Sequence, residues 1–256
     1  MLDLLLPFPP LPWLTLLAAA GVIILAYVVL GMTGFGSSIV AVPLLAHLLP
    51  IRYIVPMVLM LDLVTTVMLG MKNRQHVEKG ELKRLLPFAM IGIILGATVL
   101  VKAPERWLLL LLGVFTLCVA AWTLLTRVKP EPISTRWAAP AGAFGGVFTA
   151  LYGTGGPVYA TYLARRIHDK NKLRATMTTI ILLSAVVRLA LFTGAGLYAQ
   201  PGLILTGLLM MPCALLGLVL GSKMHSIMPT ARVIQVVWSV LTVGGAALVL
   251  RALTMN

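Results

Sequence analysis

At 256 residues, 60% hydrophobic and only 11% charged, with a mean hydropathy of +1.02, the chain cannot be a water-soluble domain, in which about a quarter of residues are charged. Its 20 Lys and Arg against 7 Asp and Glu would suggest nucleic acid in a soluble protein, but here the bases form short clusters between apolar runs, with no basic stripe interleaved with aromatics. What remains is an all-α, multi-pass membrane protein surrounded by lipid, with no nucleic-acid partner.

In chain order, an N-terminal segment (1–12) carries four prolines and no basic start, so it is not read as a cleaved signal peptide. A first repeat (13–126) follows. It opens with two glycine-interrupted segments, 13–31 and 36–50, and continues with apolar runs at 53–71, 85–101 and 107–126 that approach the ~20 residues needed to cross a bilayer. A basic linker (127–136) leads to a second repeat (137–252), again with an interrupted pair, 137–152 and 156–164, before spans at 175–198, 202–221 and 231–251. Cys118 and Cys213 lie inside apolar runs and read as small hydrophobes. No metal or other cofactor is expected, because the sequence has no paired His/Asp ligands, HExxH helix or Gly-x-Ser-x-Gly elbow; the same absences argue against an intramembrane enzyme.

The halves repeat each other. A shift of 121 places Gly21 on Gly142, Thr33 and Gly34 on Thr154 and Gly155, and His47 on His168. A shift of 125 superposes PFAMIGIILG, 87–96, on PCALLGLVLG, 212–221, and Pro104 on Pro229. Each repeat is therefore a broken helical pair plus three spans. If the pair enters and leaves on one side, three crossings invert the second repeat relative to the first. Fifteen Lys and Arg then share one side, four (Arg52, Lys102, Arg106, Arg251) face the other, and Arg188 stays in the membrane. The positive-inside rule makes the first side cytoplasmic and both termini external.

The breaks are GMTGFGSS, Gly31 to Ser38, and YGTGGPVY, Tyr152 to Tyr159. Unwound backbone at membrane depth is tolerated only when packed in protein or lining a polar cavity, and paired breaks in two repeats point to a transporter's substrate site. Half-helices restarting near Gly36 and Pro157 would direct their positive N-terminal ends at an anion, with the hydroxyls of Thr33, Ser37, Ser38 and Thr154 as neutral donors. A packing reading stands beside this one, since Gly142, Gly146 and Ala150 have the small-xxx-small spacing of close helix contacts.

The break running into valine-proline, GMTGFGSSIVAVP, its partner GTGGP, the PxxxxGxxxG blocks and the two-repeat layout resemble the TauE/SafE family, the sulfite exporter or TSUP group of permeases, over about 13–251. The resemblance implies an inner-membrane carrier of sulfite, thiosulfate, a sulfonate such as sulfoacetate, or a related organic acid. It places the family's breaks on Gly31, Gly34 and Gly36 and on Gly153, Gly155, Gly156 and Pro157. The usual glycine run of the first break is thinned here to Gly34, Phe35, Gly36, with Phe35 narrowing or lining the site.

Arg188 is the cation inside a span, and Ser184 one turn away extends its polar face. Either it holds the anion or it pairs with Asp62, the acidic residue deep in a span, which sits with Thr65 and Thr66 on one stripe. Asp62 and His47 are the candidates for an ion pair or for coupling to a proton or cation. Tyr159, just after Pro157, is the tyrosine expected to reach the site; Tyr27, Tyr152 and Tyr162 read as packing residues. The expected function is a secondary transporter binding a small anion between the breaks at Thr33, Gly34, Phe35, Gly36, Ser37, Ser38, Thr154, Gly155, Gly156, Tyr159 and Arg188. An anion channel, or a permease for a carboxylate unrelated to sulfur, is the alternative. Oligomeric state is not legible.

Overall fold

The computed structural model describes residues 13–33, 36–70, 76–125, 132–224 and 230–255. Gly34, Phe35, the segment 1–12 and residues 127–131 of the linker lie outside them. The described residues are almost all helical and contain no strand: α1 (Trp13–Thr33), α2 (Ser37–Leu45), α3 (Ile51–Gly70), α4 (Lys79–Lys102), α5 (Glu105–Leu125), α6 (Ala138–Tyr152), α7 (Gly156–Leu163), α8 (Lys170–Gly194), α9 (Leu203–Met224) and α10 (Thr230–Thr254). Six stretches among them are long and apolar enough to span a bilayer, in α1, α3, α4, α5, α8 and α9. The chain is thus an all-α integral membrane protein.

One expected boundary moves. The sequence pattern predicts the segment ending at 31 as half of a broken pair, yet α1 runs on to Thr33, and its 21 residues extend about 31 Å, a full crossing. Gly31 does not break the helix. It packs on α9, where a Cβ would lie 2.6 Å from the Leu218 carbonyl oxygen. The other short pieces are as the glycine pattern predicts: α2 has 9 residues, α6 has 15 and α7 has 8.

Each helix that opens one half packs along the fourth helix of the other half: α1 on α9, and α6 on α4. Glycine makes both contacts close. A Cβ on Gly221 would meet the Val28 carbonyl at 2.1 Å, and one on Gly92 the Ala143 carbonyl at 2.2 Å. Gly92 and Gly96 of the first repeated block therefore do against α6 what Gly217 and Gly221 of the second do against α1. Gly142 and Gly146 are packing glycines of the same seam, facing Leu85, Phe88 and Ala89.

Directions follow from the neighbours. Gly217 lies by Ile24 and Tyr27, and Gly221 by Val28, so α1 and α9 run parallel; by the same reasoning α4 and α6 run parallel, since Gly142 lies by Leu85 and Gly146 by Ala89 and Gly92. Tyr198 and Gln200, just past α8, bond the carbonyls of Pro56 and Arg52 at the start of α3, and Thr176 near the start of α8 accepts from the Glu78 amide beyond α3. So α3 and α8 are antiparallel. Because α9 returns from α8 by a short turn, α1, α3 and α9 share one direction, and α2 with its following turn carries the chain back between α1 and α3.

Two charge networks tie the helix ends. Glu81 at the start of α4 accepts from Tyr162 of α7, from Arg166 Nε and Nη2 at 3.1 and 3.0 Å, and from Arg84 at 2.8 Å. At the opposite ends, Arg52 caps α4 through the carbonyls of Leu100 and Ala103, and Arg251 caps α2 through that of Ala46.

Candidate functional site

The two breaks meet. Gly36 has φ +103°, a left-handed conformation open to glycine, and turns the chain so that α2 starts at Ser37 against the middle of α3. Gly153 (φ +72°) ends α6 in the same way, its amide donating to the Thr149 carbonyl at 2.8 Å and the Thr154 amide to Phe148 at 3.3 Å. A Cβ at Gly153 would lie 2.4 Å from Ser38 Oγ and 3.4 Å from Arg188 Nη1. The absent side chain thus lets the second break touch the first.

Asp62, mid-way along α3 and buried, gathers three elements. Its Oδ1 accepts from Tyr27 Oη of α1 and Ser37 Oγ of α2, both at 2.7 Å, and its Oδ2 accepts from Ser38 Oγ at 2.6 Å. All three donors are hydroxyls. They satisfy the hydrogen-bonding needs of this buried carboxylate, and among the described residues no cation is in contact with it.

Arg188 of α8, 2% exposed, donates through Nη1 to the Thr149 carbonyl at 2.9 Å, the negative end of α6. Its Nε is buried with no hydrogen-bond partner, and so is Ser184 Oγ one turn earlier. Among the described residues no ion pair joins Arg188 to Asp62. The two charges instead line one small cavity with Ser37, Ser38, Thr149 and Thr154, and the first turns of α2 and α7 contribute Gly36, Gly156 and Pro157. Its volume is about 30 Å³, space for roughly two waters.

A second, apolar space of about 880 Å³ abuts the first. Phe115, Trp122, Trp137 and Phe144 line it, with Arg165 at its edge, and it shares Gly36, Ile39 and Pro157 with the cavity. Those three residues line both spaces.

Of the residues expected at the site, Gly36, Ser37, Ser38, Asp62, Thr154, Gly156 and Arg188 line the cavity. Gly155 stands behind it, with room for no side chain, since a Cβ would lie 1.8 Å from Thr149 Oγ1. Tyr159 is fully buried one layer back, its Oη 3.3 Å from Thr149 Oγ1 and its ring over Gly145. Thr33 lines the apolar space, its Oγ1 donating to the Val29 carbonyl at 2.7 Å. His47 sits exposed in the turn after α2, away from the cavity lining, and His168 is an exposed loop residue. Tyr27, which bonds Asp62, and Thr149, whose carbonyl accepts from Arg188, are the contacts that the sequence did not single out; for Tyr27 the available signal was a hydroxyl two turns before the first break, and for a backbone carbonyl there was none.

Against this geometry, comparison with known proteins gives a family. The profile described as sulfite exporter TauE/SafE matches residues 18–248, and the chain belongs to that family. A relative in Comamonas testosteroni, named probable inner membrane transporter protein TsaS, is 26% identical over 174 residues, covering 68% of this chain and 73% of the relative. No solved structure matches the chain.

Proposed function

With membership of the TauE/SafE family as the premise, we propose that this membrane transport protein is a secondary carrier of a small anion such as sulfite, thiosulfate, a sulfonate or a related organic acid across the bacterial inner membrane. The anion is bound where the two helix breaks meet. The observation that carries this reading is Arg188: a buried guanidinium with an unpartnered Nε, facing a cavity into which the N-terminal ends of α2 and α7 also point. Ser37, Ser38 and Thr154 supply the hydroxyls around it, while Gly36, Gly153 and Gly156 keep the backbone close.

A carrier accounts for the small polar cavity better than a channel does, because a conducting pore needs a continuous polar path and the space that shares Gly36, Ile39 and Pro157 with the cavity is mostly apolar. The reciprocal packing of α1 on α9 and α6 on α4, with α3 and α8 antiparallel, supports two inverted repeats over 13–126 and 137–252 that rock about the site. The charge bias supports external termini. Saturable, counterflow-competent uptake of a labelled anion into proteoliposomes, lost in Arg188→Gln, tests the proposal; uptake unchanged by that substitution would remove the anion from this cavity.

A further inference from the structure

Resting on the anion-carrier reading, the inference concerns what else enters the site and which charge class of anion it takes. Asp62 and Arg188 are the two charged side chains in the cavity lining. One negative and one positive charge leave the unoccupied site neutral. An anion of charge −1 placed against Arg188 would leave one unbalanced negative charge in a low-dielectric space, a state that buried sites avoid. Nothing else nearby can absorb it. Tyr27 from α1 faces Asp62, and Tyr159 from α7 and Tyr198 from the turn after α8 face Arg188 together with Tyr27. Among the described residues α2 presents Ser37 and Ser38, α6 presents Thr149 and the break after it Thr154, while α9 meets α3 through Thr206 and Gly207. Among the described residues no second cation lines the cavity.

The surroundings of Asp62 accommodate the remedy. Its three partners are all hydroxyls, each able to accept as well as donate. If a proton from solvent adds to a carboxylate oxygen, the new O–H donates to one of these hydroxyls, which only has to rotate its own hydrogen away. No heavy atom moves. A carboxylate held by amide or guanidinium donors could not do this. A metal cation fits the same place poorly, because the oxygens already stand 2.6 to 2.7 Å apart in hydrogen-bond contact.

We propose that Asp62 is a proton site coupled to the anion site at Arg188, so that the protein carries one proton together with one monovalent anion. The charge balances: Asp62 gains the proton, Arg188 holds the anion, and the loaded cavity is as neutral as the empty one. Anion and proton favour each other's binding reciprocally. A divalent anion would need a second proton for which the lining offers no acceptor, so the site selects charge −1, as in a sulfonate or hydrogensulfite.

Methanesulfonate is the probe, because its charge stays −1 across the working pH range. Binding to purified wild-type protein, followed by calorimetry and by a pH indicator in weak buffer, should take up about one proton per anion, with affinity rising up to about tenfold for each unit of pH lowered. Sulfate should not compete, and sodium should not substitute for the proton. Asp62→Asn should bind with an affinity that no longer varies with pH and take up no proton. The wild-type proton count decides the matter even if that variant folds poorly. Binding without proton uptake, or dependent on sodium, overturns the proton site and leaves the anion site standing. Absence of saturable binding of methanesulfonate, hydrogensulfite or acetate at every pH overturns both.

Discussion

Asp62 and Arg188 line the same cavity from α3 and α8 without forming an ion pair: the carboxylate is held by three hydroxyls and the guanidinium by the Thr149 carbonyl. Each charge therefore has its own support. A structural pair would behave differently, since removing one partner would strand the other and removing both would restore the fold.

Arg188→Gln should weaken anion binding by at least about thirtyfold, the range for loss of a buried charged hydrogen-bond partner. The Arg188→Gln, Asp62→Asn double variant should not recover it. Affinity measured across the double-mutant cycle, with melting temperature in parallel, checks this; recovery of binding in the double variant would mean that the two charges only neutralise each other.

Gly153→Ala places a methyl group 2.4 Å from Ser38 Oγ at a left-handed position, so it strains the backbone and pushes Ser38 off Asp62. The destabilisation should be about 1 to 3 kcal/mol, accompanied by loss of transport. Gly80→Ala, where nothing lies within 4 Å, is the control and should leave both melting temperature and uptake unchanged.

How far the sequence reached can be read from these residues. Asp62 and Arg188 stood out because a charge in an apolar run has few bland explanations, and the breaks stood out because glycine clusters interrupt span-length segments. Gly31 was misplaced because a glycine that breaks a helix and one that admits a neighbouring helix look alike in one dimension; only the approach of α9 distinguishes them. Tyr27 and Thr149 were missed for a related reason. The Tyr27 hydroxyl acquires its role from Asp62, which tertiary packing brings opposite it, and Thr149 acquires its role through its backbone carbonyl, which no side-chain pattern signals, when packing brings Arg188 to the end of α6.

The orientation has a direct test in a variant lacking Cys118 and Cys213. A cysteine at Lys79 should react with a membrane-impermeant maleimide only after the membrane is opened, and one at Met255 should react in intact cells. The opposite pattern would invert the topology.

Glu81 ties α4 to the end of α7 through Tyr162 and Arg166, and its side chain is only 7% exposed. Glu81→Ala leaves Tyr162 and Arg166 without this partner and should destabilise by about 1 to 3 kcal/mol. Arg84→Ala, the half-exposed end of the same network, should change stability by less than about 1 kcal/mol. Thermal melts of the two variants compare them directly.

Ile39 lines both the polar cavity and the apolar space that runs to Arg165, and it is 5% exposed, so its side chain stands as a wall that a smaller residue would thin. Arg165 lies in the basic cluster assigned to the cytoplasmic side, so thinning this wall should open the site from that side only. In the cysteine-free background a cysteine at Thr154, which lines the cavity but not the apolar space, reports the opening. With an anionic methanethiosulfonate reagent in the cytoplasmic compartment, Ile39→Ala should speed its modification by about tenfold, equivalent to about 1.4 kcal/mol less for opening the wall. The same reagent applied outside should show no change. Acceleration from the outside alone would place the apolar space on the external face and reverse the access route, while equal acceleration from both faces would mean that α2 had been loosened as a whole and that Ile39 is packing rather than a barrier.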